Sequence, residues 1–267
     1  MSSPSELAQA CAEAARRGGE VLRARWGRRR TIEYKASGID LVTDADRASE
    51  GALLEFLAAR FPRAAVLAEE SGASGARDAE LRFIVDPLDG TTNYAHGLPF
   101  FAVNVAVEDA AGLSAGATYD PMRDELFVAS RGGGATLAGE RIAVTHEAEL
   151  ARALLCTGFP YDIHREARFA LDLFGAFITR ARAIRRLGSA ALDLAYVACG
   201  RFDGFWEMKL KPWDVGPGVL LVREAGGAVS DFDGGGRMLE RGEICAGGPA
   251  LYPQLMAVLA EVRGAGS

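Results

Sequence analysis

Cysteine is sparse in this chain: Cys11, Cys156, Cys199 and Cys245 are the four in 267 residues. No two form a CxxC pair, and each has apolar neighbours. That argues against a disulfide-stapled scaffold and predicts buried reduced thiols, as in a cytoplasmic protein. Histidine is scarcer still, with His96, His146 and His164 far apart. A His/Cys zinc site is therefore not expected, and a bound metal has to be held by carboxylates. No run of about 18 apolar residues occurs, so no membrane span is expected. The N-terminus lacks the basic-then-apolar pattern of a signal peptide. Positive charge is not in excess: 36 Asp and Glu face 30 Lys and Arg, a net charge of −6. An acidic chain is a poor start for direct nucleic-acid binding. The basic run Arg28-Arg29-Arg30 reads as a solvated helix end. There is no internal repeat, linker or low-complexity segment.

What remains is globular in composition, 49% hydrophobic and 25% charged. The length suits one large unit or two tightly joined subdomains, 1–145 and 146–267. Ser3-Pro4-Ser5-Glu6 has the signals of a capped helix start. Leu7, Cys11, Ala14, Ala15, Gly18 and Leu22 then recur at helical spacing. Residues 33–38 read as a hairpin or loop. Thr43 opens a second helix that Phe61-Pro62 ends. Strands are expected at 65–68, 81–85, 101–107, 115–119 and 125–130, with turns at 132–134 and 138–140. The second half offers strands at 153–157 and 201–207, and helices at 165–183, 189–199, 214–225 and 254–262. Interleaved strands and helices predict a layered α/β (α+β) fold.

The chemistry is concentrated in Asp86-Pro87-Leu88-Asp89-Gly90-Thr91-Thr92-Asn93. A buried strand delivers Asp86 at its end. Pro87 fixes the backbone, which lets the turn aim the Leu88 carbonyl inward and bring Asp89 beside Asp86. Gly90 permits a tight bend. Thr91 and Thr92 start a helix whose free amides suit an anion. Glu69, after an apolar run, and Asp214, after Trp213 at a helix start, follow the same logic. Two carboxylates about 4 Å apart repel by about 4 kcal/mol at an effective dielectric of about 20. A cluster of four therefore calls for cations, and oxygen ligands select Mg²⁺, Mn²⁺ or Ca²⁺ over Zn²⁺.

The 86–93 stretch resembles the first signature of the inositol monophosphatase family. Trp213-Asp214-Val215-Gly216-Pro217-Gly218, continuing to Glu224-Ala225-Gly226-Gly227, resembles its second. Glu69-Glu70-Ser71 and Asp40-Leu41-Val42-Thr43-Asp44-Ala45-Asp46 also match the family pattern, in order and at similar distances. The likeness covers nearly the whole chain.

The resemblance implies an αβαβα sandwich, a homodimer, and Mg²⁺-dependent, Li⁺-sensitive hydrolysis of phosphate monoesters. It implies that Glu69, Asp86 and the Leu88 carbonyl hold one ion, and that Asp86, Asp89 and Asp214 hold a second. A third, weaker ion would sit near Glu69 with Asp46 in its outer shell. Mn²⁺ is an expected substitute. Glu69 and the Thr91 hydroxyl would orient the attacking water, and the amides of Gly90 and Thr91, with Thr92 beside them, would hold the phosphate. Lys35 matches a loop lysine over the site, Glu207 a residue that accepts from inositol hydroxyls, and Ala190 a backbone contact to the ring. Gly158-Phe159-Pro160 stands where animal members carry a serine that contacts inositol. The expected substrate is a phosphorylated polyol, inositol 1-phosphate foremost. Fructose 1,6-bisphosphate, histidinol phosphate and adenosine 3′,5′-bisphosphate are the alternatives. A reading of another class is a regulatory partner of the transcription or RNA machinery with incidental phosphatase activity.

Overall fold

The computed structural model of the chain describes residues 2–27, 32–34, 41–165 and 167–265. Arg28, Arg29, Arg30 and Lys35 lie outside the described residues.

Ser3 caps helix α1 (Pro4–Arg25) as its sequence predicts. Its hydroxyl accepts from the Glu6 amide, while the Glu6 carboxylate accepts from the Ser3 amide. Strand β1 (Ile32–Tyr34) pairs antiparallel with β2 (Leu41–Thr43). Thr43 and Asp46 form a second capping box at the start of α2 (Asp44–Arg60). There follow β3 (Ala65–Ala68), β4 (Gly72–Ser74), β5 (Arg82–Asp89), the short helix α3 (Thr91–His96), and β6 (Ala102–Asp109). Next are β7 (Gly112–Asp120), β8 (Glu125–Ser130), β9 (Gly134–Leu137) and β10 (Glu140–Arg141). β3 to β10 make one eight-stranded sheet in the order β10-β9-β8-β7-β6-β5-β3-β4. Its neighbours pair antiparallel except β3 and β5, which run parallel.

The second half contributes β11 (Leu154–Thr157), α4 (Ala167–Ile178), β12 (Ala183–Arg185), α5 (Ala190–Ala198) and β13 (Gly204–Glu207). It continues with α6 (Pro212–Glu224), β14 (Ala228–Ser230), α7 (Met238–Arg241), β15 (Ile244–Gly247) and α8 (Tyr252–Ala265). Its five strands form a mixed sheet in the order β12-β11-β13-β15-β14.

Side chains alternate across each strand and so feed two cores at once. Val103, Val105 and Val107 of β6 pack with Leu7, Cys11, Leu53 and Leu57 of α1 and α2. Between the two sheets, α5 and α6 fill a second core with Leu194, Val197, Val219 and Val222. Cys156, Phe205 and Ala246 point into that core, while their neighbours Leu155, Trp206 and Cys245 point the other way. There they meet Leu173 and Phe177 of α4 and Leu255 and Leu259 of α8. The layers are thus α1/α2, large sheet, α5/α6, small sheet, α4/α8. That is the expected αβαβα sandwich.

Two expectations are corrected. The helix predicted over 165–183 is shorter: it closes when the Arg180 and Ala181 amides turn back to the Phe177 carbonyl. Residues 183–185 form β12 instead, because they find a parallel ladder on β11. The 201–207 strand begins only at Gly204, since 199–203 are spent on the turn after α5. All four cysteines are free, with Cys199 only half-buried. No described helix is long and apolar enough to cross a membrane.

Candidate active site

Glu69 and Asp86 become neighbours because β3 and β5 are parallel. The register pairs Ala68 with Val85, and the Glu69 amide donates to the Val85 carbonyl at 3.1 Å. The next two side chains leave the sheet together. The β5–β6 ladder then breaks between Asp86 and Asp89. Pro87 has no amide hydrogen to give the ladder. Its carbonyl accepts from Ser49 Oγ at 2.8 Å, and the Leu88 amide folds back onto Asp86 Oδ1 at 2.9 Å. This bulge re-aims the chain. The Leu88 carbonyl meets the Thr91 hydroxyl at 3.0 Å. Gly90 then turns the chain into α3 with φ of 97°, a left-handed value that favours glycine.

Asp214 comes from the other half, and a polar clamp puts it here. Asn104 lies opposite Asp86 on β6. Its Nδ2 donates to the Trp213 and Asp214 carbonyls at 3.1 and 2.9 Å. The Thr118 hydroxyl holds its Oδ1 at 2.6 Å. The first turn of α6 is thereby fixed beside β5. Asp214 also caps that turn, accepting from the Lys211 amide at 2.7 Å. Asp89 is held from α5, accepting from Ser189 Oγ at 2.7 Å and the Ala191 amide at 2.6 Å.

These acids share one cleft of about 340 Å³. Glu69, Asp86, Leu88, Asp89, Gly90, Thr91, Thr92, Ala190, Glu207 and Asp214 all line it, as does Gly158-Phe159-Pro160. Asp46 is buried behind the wall, with Oδ1 3.1 Å from the Thr91 hydroxyl. Lys35, the remaining expected residue, lies outside the described residues. The elements also bring in Arg186, Ser189 and Asp193, which sequence reasoning passed over. Asp193 had a signal: it is the single charged residue in the apolar stretch 190–198.

The electrostatics are those of crowded acids. Burial pushes the Asp86 carboxyl well above its ordinary range, and Glu69, Asp89 and Asp214 push it further. Asp214 is raised by burial and by Asp89. Burial raises Asp89 to about 6 in spite of its hydrogen bonds. Asp46 is raised by burial to about 7, and Glu207 likewise to about 8, with Arg186 opposing the shift at Glu207. Gly158 leaves room for the Glu207 carboxylate, which a Cβ there would strike.

The residues suit hard divalent cations. The strongest influences on Asp86 are burial and other acids, so added positive charge relieves the cluster. The donors are carboxylate, carbonyl and hydroxyl oxygens, and no described His or Cys lines the cleft. The acids ring the cleft; among the described residues no three His, Cys, Asp or Glu are already drawn to one point.

The chain is similar to known proteins along nearly its whole length. The model of the inositol monophosphatase family matches residues 3–264. Nus factor SuhB of Salmonella typhimurium is 42% identical over 245 residues, 91% of this chain and 92% of that protein. Inositol-1-monophosphatase of Mesorhizobium japonicum is 41% identical over 254 residues, 94% of this chain and 95% of that one. The extragenic suppressor protein SuhB of Bartonella henselae superposes with a TM-score of 0.90 at 40% identity, covering 94% and 97%. With a match along nearly its whole length and an acid-ringed cleft in a five-layer sandwich, the chain belongs to the inositol monophosphatase family and is a phosphatase.

Proposed function

We propose that this cleft hydrolyses a phosphorylated polyol, inositol 1-phosphate foremost. The carrying observation is that Glu69, Asp86, Asp89 and Asp214 share one cleft with Glu207. A protein of the same fold, an IMPase/NADP phosphatase at 22% identity, is complexed with Mg²⁺ and phosphate. In this reading Glu69, Asp86 and the Leu88 carbonyl hold one ion, and Asp86, Asp89 and Asp214 a second, with Mn²⁺ as a substitute. A third, weaker ion lies near Glu69 with Asp46 in its outer shell. When bound, such ions acidify water and neutralise charge on a phosphate undergoing in-line displacement.

The chain's own residues do the rest. Asp46 and the Leu88 carbonyl anchor the Thr91 hydroxyl, which fixes where it meets the attacking water. Glu69, on the same side of the sheet end, takes the proton. The Gly90 and Thr91 amides and Thr92 seat the phosphate, and Lys35 adds positive charge. The Ala190 backbone and Glu207 hold the polyol, with Asp89 and Asp214 close to its phosphate end. The reading includes a cytoplasmic homodimer and no direct nucleic-acid contact. One observation favours a second role: the relative at 42% identity is named a Nus factor. A regulatory partner with incidental activity keeps that role when turnover is abolished.

Glu207→Gln tests the polyol contact. With its pKa raised to about 8 the Glu207 carboxyl is mostly neutral at pH 7, and a neutral hydrogen bond is worth about 0.5–1.5 kcal/mol, or about 2–13-fold. The variant should lose about that factor in kcat/KM for inositol 1-phosphate and almost nothing for 4-nitrophenyl phosphate, which has no ring hydroxyls. Equal losses on both substrates contradict the assignment. Fructose 1,6-bisphosphate, histidinol phosphate and adenosine 3′,5′-bisphosphate in the same assay test the substrate itself.

A further inference from the structure

Asp193 is the unexplained acid of the cleft. It sits in the first turn of α5, where Ser189 is the cap, and is 1% exposed. Burial, Glu207 and Asp89 all disfavour its charge, while Arg186 and the Cys156 thiol favour it. Its backbone is fully used: the amide donates to the Ser189 carbonyl, and the carbonyl faces the Cys156 thiol. Its side chain is used only in part, through the Cys156 thiol. Oδ1 is buried with no hydrogen-bond partner. Of the buried unpartnered side-chain atoms among the described residues, this is the one on a residue lining the cleft.

A buried acceptor left open costs free energy that a merely structural residue has no reason to bear. Leu or Asn would fill the same helix position with fewer demands. The neighbouring acid, Glu207, lines the same wall. Two carboxyl groups on one wall, with Arg186 beside them, suit a ligand that brings hydroxyl donors on adjacent carbons. A site whose polar groups stay unpaired without their ligand discriminates strongly against analogues that lack the donor.

We propose that Asp193 is a specificity-determining residue: its open carboxylate oxygen accepts a second hydroxyl of the substrate, next to the one held by Glu207. The cleft thereby selects vicinal diols among phosphate esters. This rests on the polyol phosphatase reading above and goes beyond it in naming the pattern of hydroxyls recognised.

The test uses the full chain, wild type, Asp193→Asn and Asp193→Ala. Phosphate release is measured from inositol 1-phosphate, from its singly deoxygenated analogues and from 4-nitrophenyl phosphate. Circular dichroism and thermal melting check the fold, and inhibition by inorganic phosphate checks the phosphate seat. Asp193→Ala should lower kcat/KM for inositol 1-phosphate about 5–150-fold, the range expected when a buried hydroxyl is left without its hydrogen-bond partner. The change should fall mainly on KM. Activity on 4-nitrophenyl phosphate and inhibition by phosphate should stay within about twofold. One deoxygenated analogue that the wild type handles poorly should be handled equally by wild type and variant. Asp193→Asn, which keeps shape and an acceptor, guards against misfolding and should lose less than Asp193→Ala.

Equal loss on both ester types, or an unchanged ratio with every analogue, overturns the role of Asp193. A wild type with no preference for inositol 1-phosphate over the aryl ester overturns the polyol reading instead. The two failures are read from different enzymes and cannot be confused.

Discussion

Asp89→Asn should lower phosphate release by about 100-fold or more, the loss seen when one preorganised charge-stabilising group is removed from an active site. The fold should survive. Asn is nearly isosteric, and its side-chain carbonyl can still accept from Ser189 Oγ and the Ala191 amide. The variant also removes one negative charge from a group of mutually repelling acids. Its melting temperature should therefore equal or exceed that of the wild type, while the Mg²⁺ concentration needed for half-maximal activity rises. Steady-state turnover across a Mg²⁺ series, with a thermal melt of each protein, checks both halves. Wild-type turnover in Asp89→Asn would remove Asp89 from the metal-binding set.

Gly116→Val should damage stability and activity together. Gly116 lies on β7 where α6 crosses the sheet, and an added Cβ would come 2.9 Å from Pro217 Cα. That neighbour is backbone and has no flexible end to move. The helix must therefore shift or the strand must bend. Overpacking of this kind costs about 1–3 kcal/mol. At about 2–4 °C per kcal/mol for a chain of this size, the melting temperature should fall by about 2–12 °C. The shift carries into the site because α6 begins at Pro212 and bears Asp214 in its first turn. The Asn104 clamp on the Trp213 and Asp214 carbonyls is short, so a displaced helix loses it. Activity should fall by a larger factor than the stability change explains at assay temperature. A position on α1 supplies the control: Gly19→Ala, which crowds the Tyr119 ring and Pro121, neither of them in the cleft lining, should lower stability with little change in turnover of the folded protein. Full activity in Gly116→Val at an unchanged melting temperature would show that α6 is not held as described.

The elements that sequence made legible are those with local signals. Ser3 with Glu6, and Thr43 with Asp46, announce helix starts through side chains that cap their own backbone. The Pro87-Leu88-Asp89-Gly90 turn was legible because proline and glycine constrain φ wherever they stand. The strand over 125–130 was legible from its own apolar run. What stayed hidden depends on partners distant in the chain. Residues 183–185 carry no strand signal strong enough to end a helix pattern; β11, almost 30 residues earlier, recruits them. β14 and β15, short and set among glycines, exist because they pair with each other and β15 with β13.

The site divides the same way. Acids next to turns could be picked out, since a carboxylate at a strand end invites a question. The residues that aim them could not. Asn104 and Thr118 look like ordinary polar residues within strands, and Ser189 like an ordinary helix cap. Their roles depend on the register that sets Asn104 opposite Asp86 and on the docking of α5 beside Asp89. Asp193 was visible as a charge in an apolar helix, but its open oxygen is a property of packing alone.

The most direct measurement is phosphate release from inositol 1-phosphate by the full chain with Mg²⁺, after EDTA, and after Mg²⁺ is restored. Asp89→Asn is run beside it. The account predicts turnover with Mg²⁺, loss with EDTA, recovery on restoration, and little activity in the variant throughout. Turnover that persists in EDTA, or an Asp89→Asn variant that keeps pace with the wild type, would contradict a metal-dependent phosphatase built on these carboxylates.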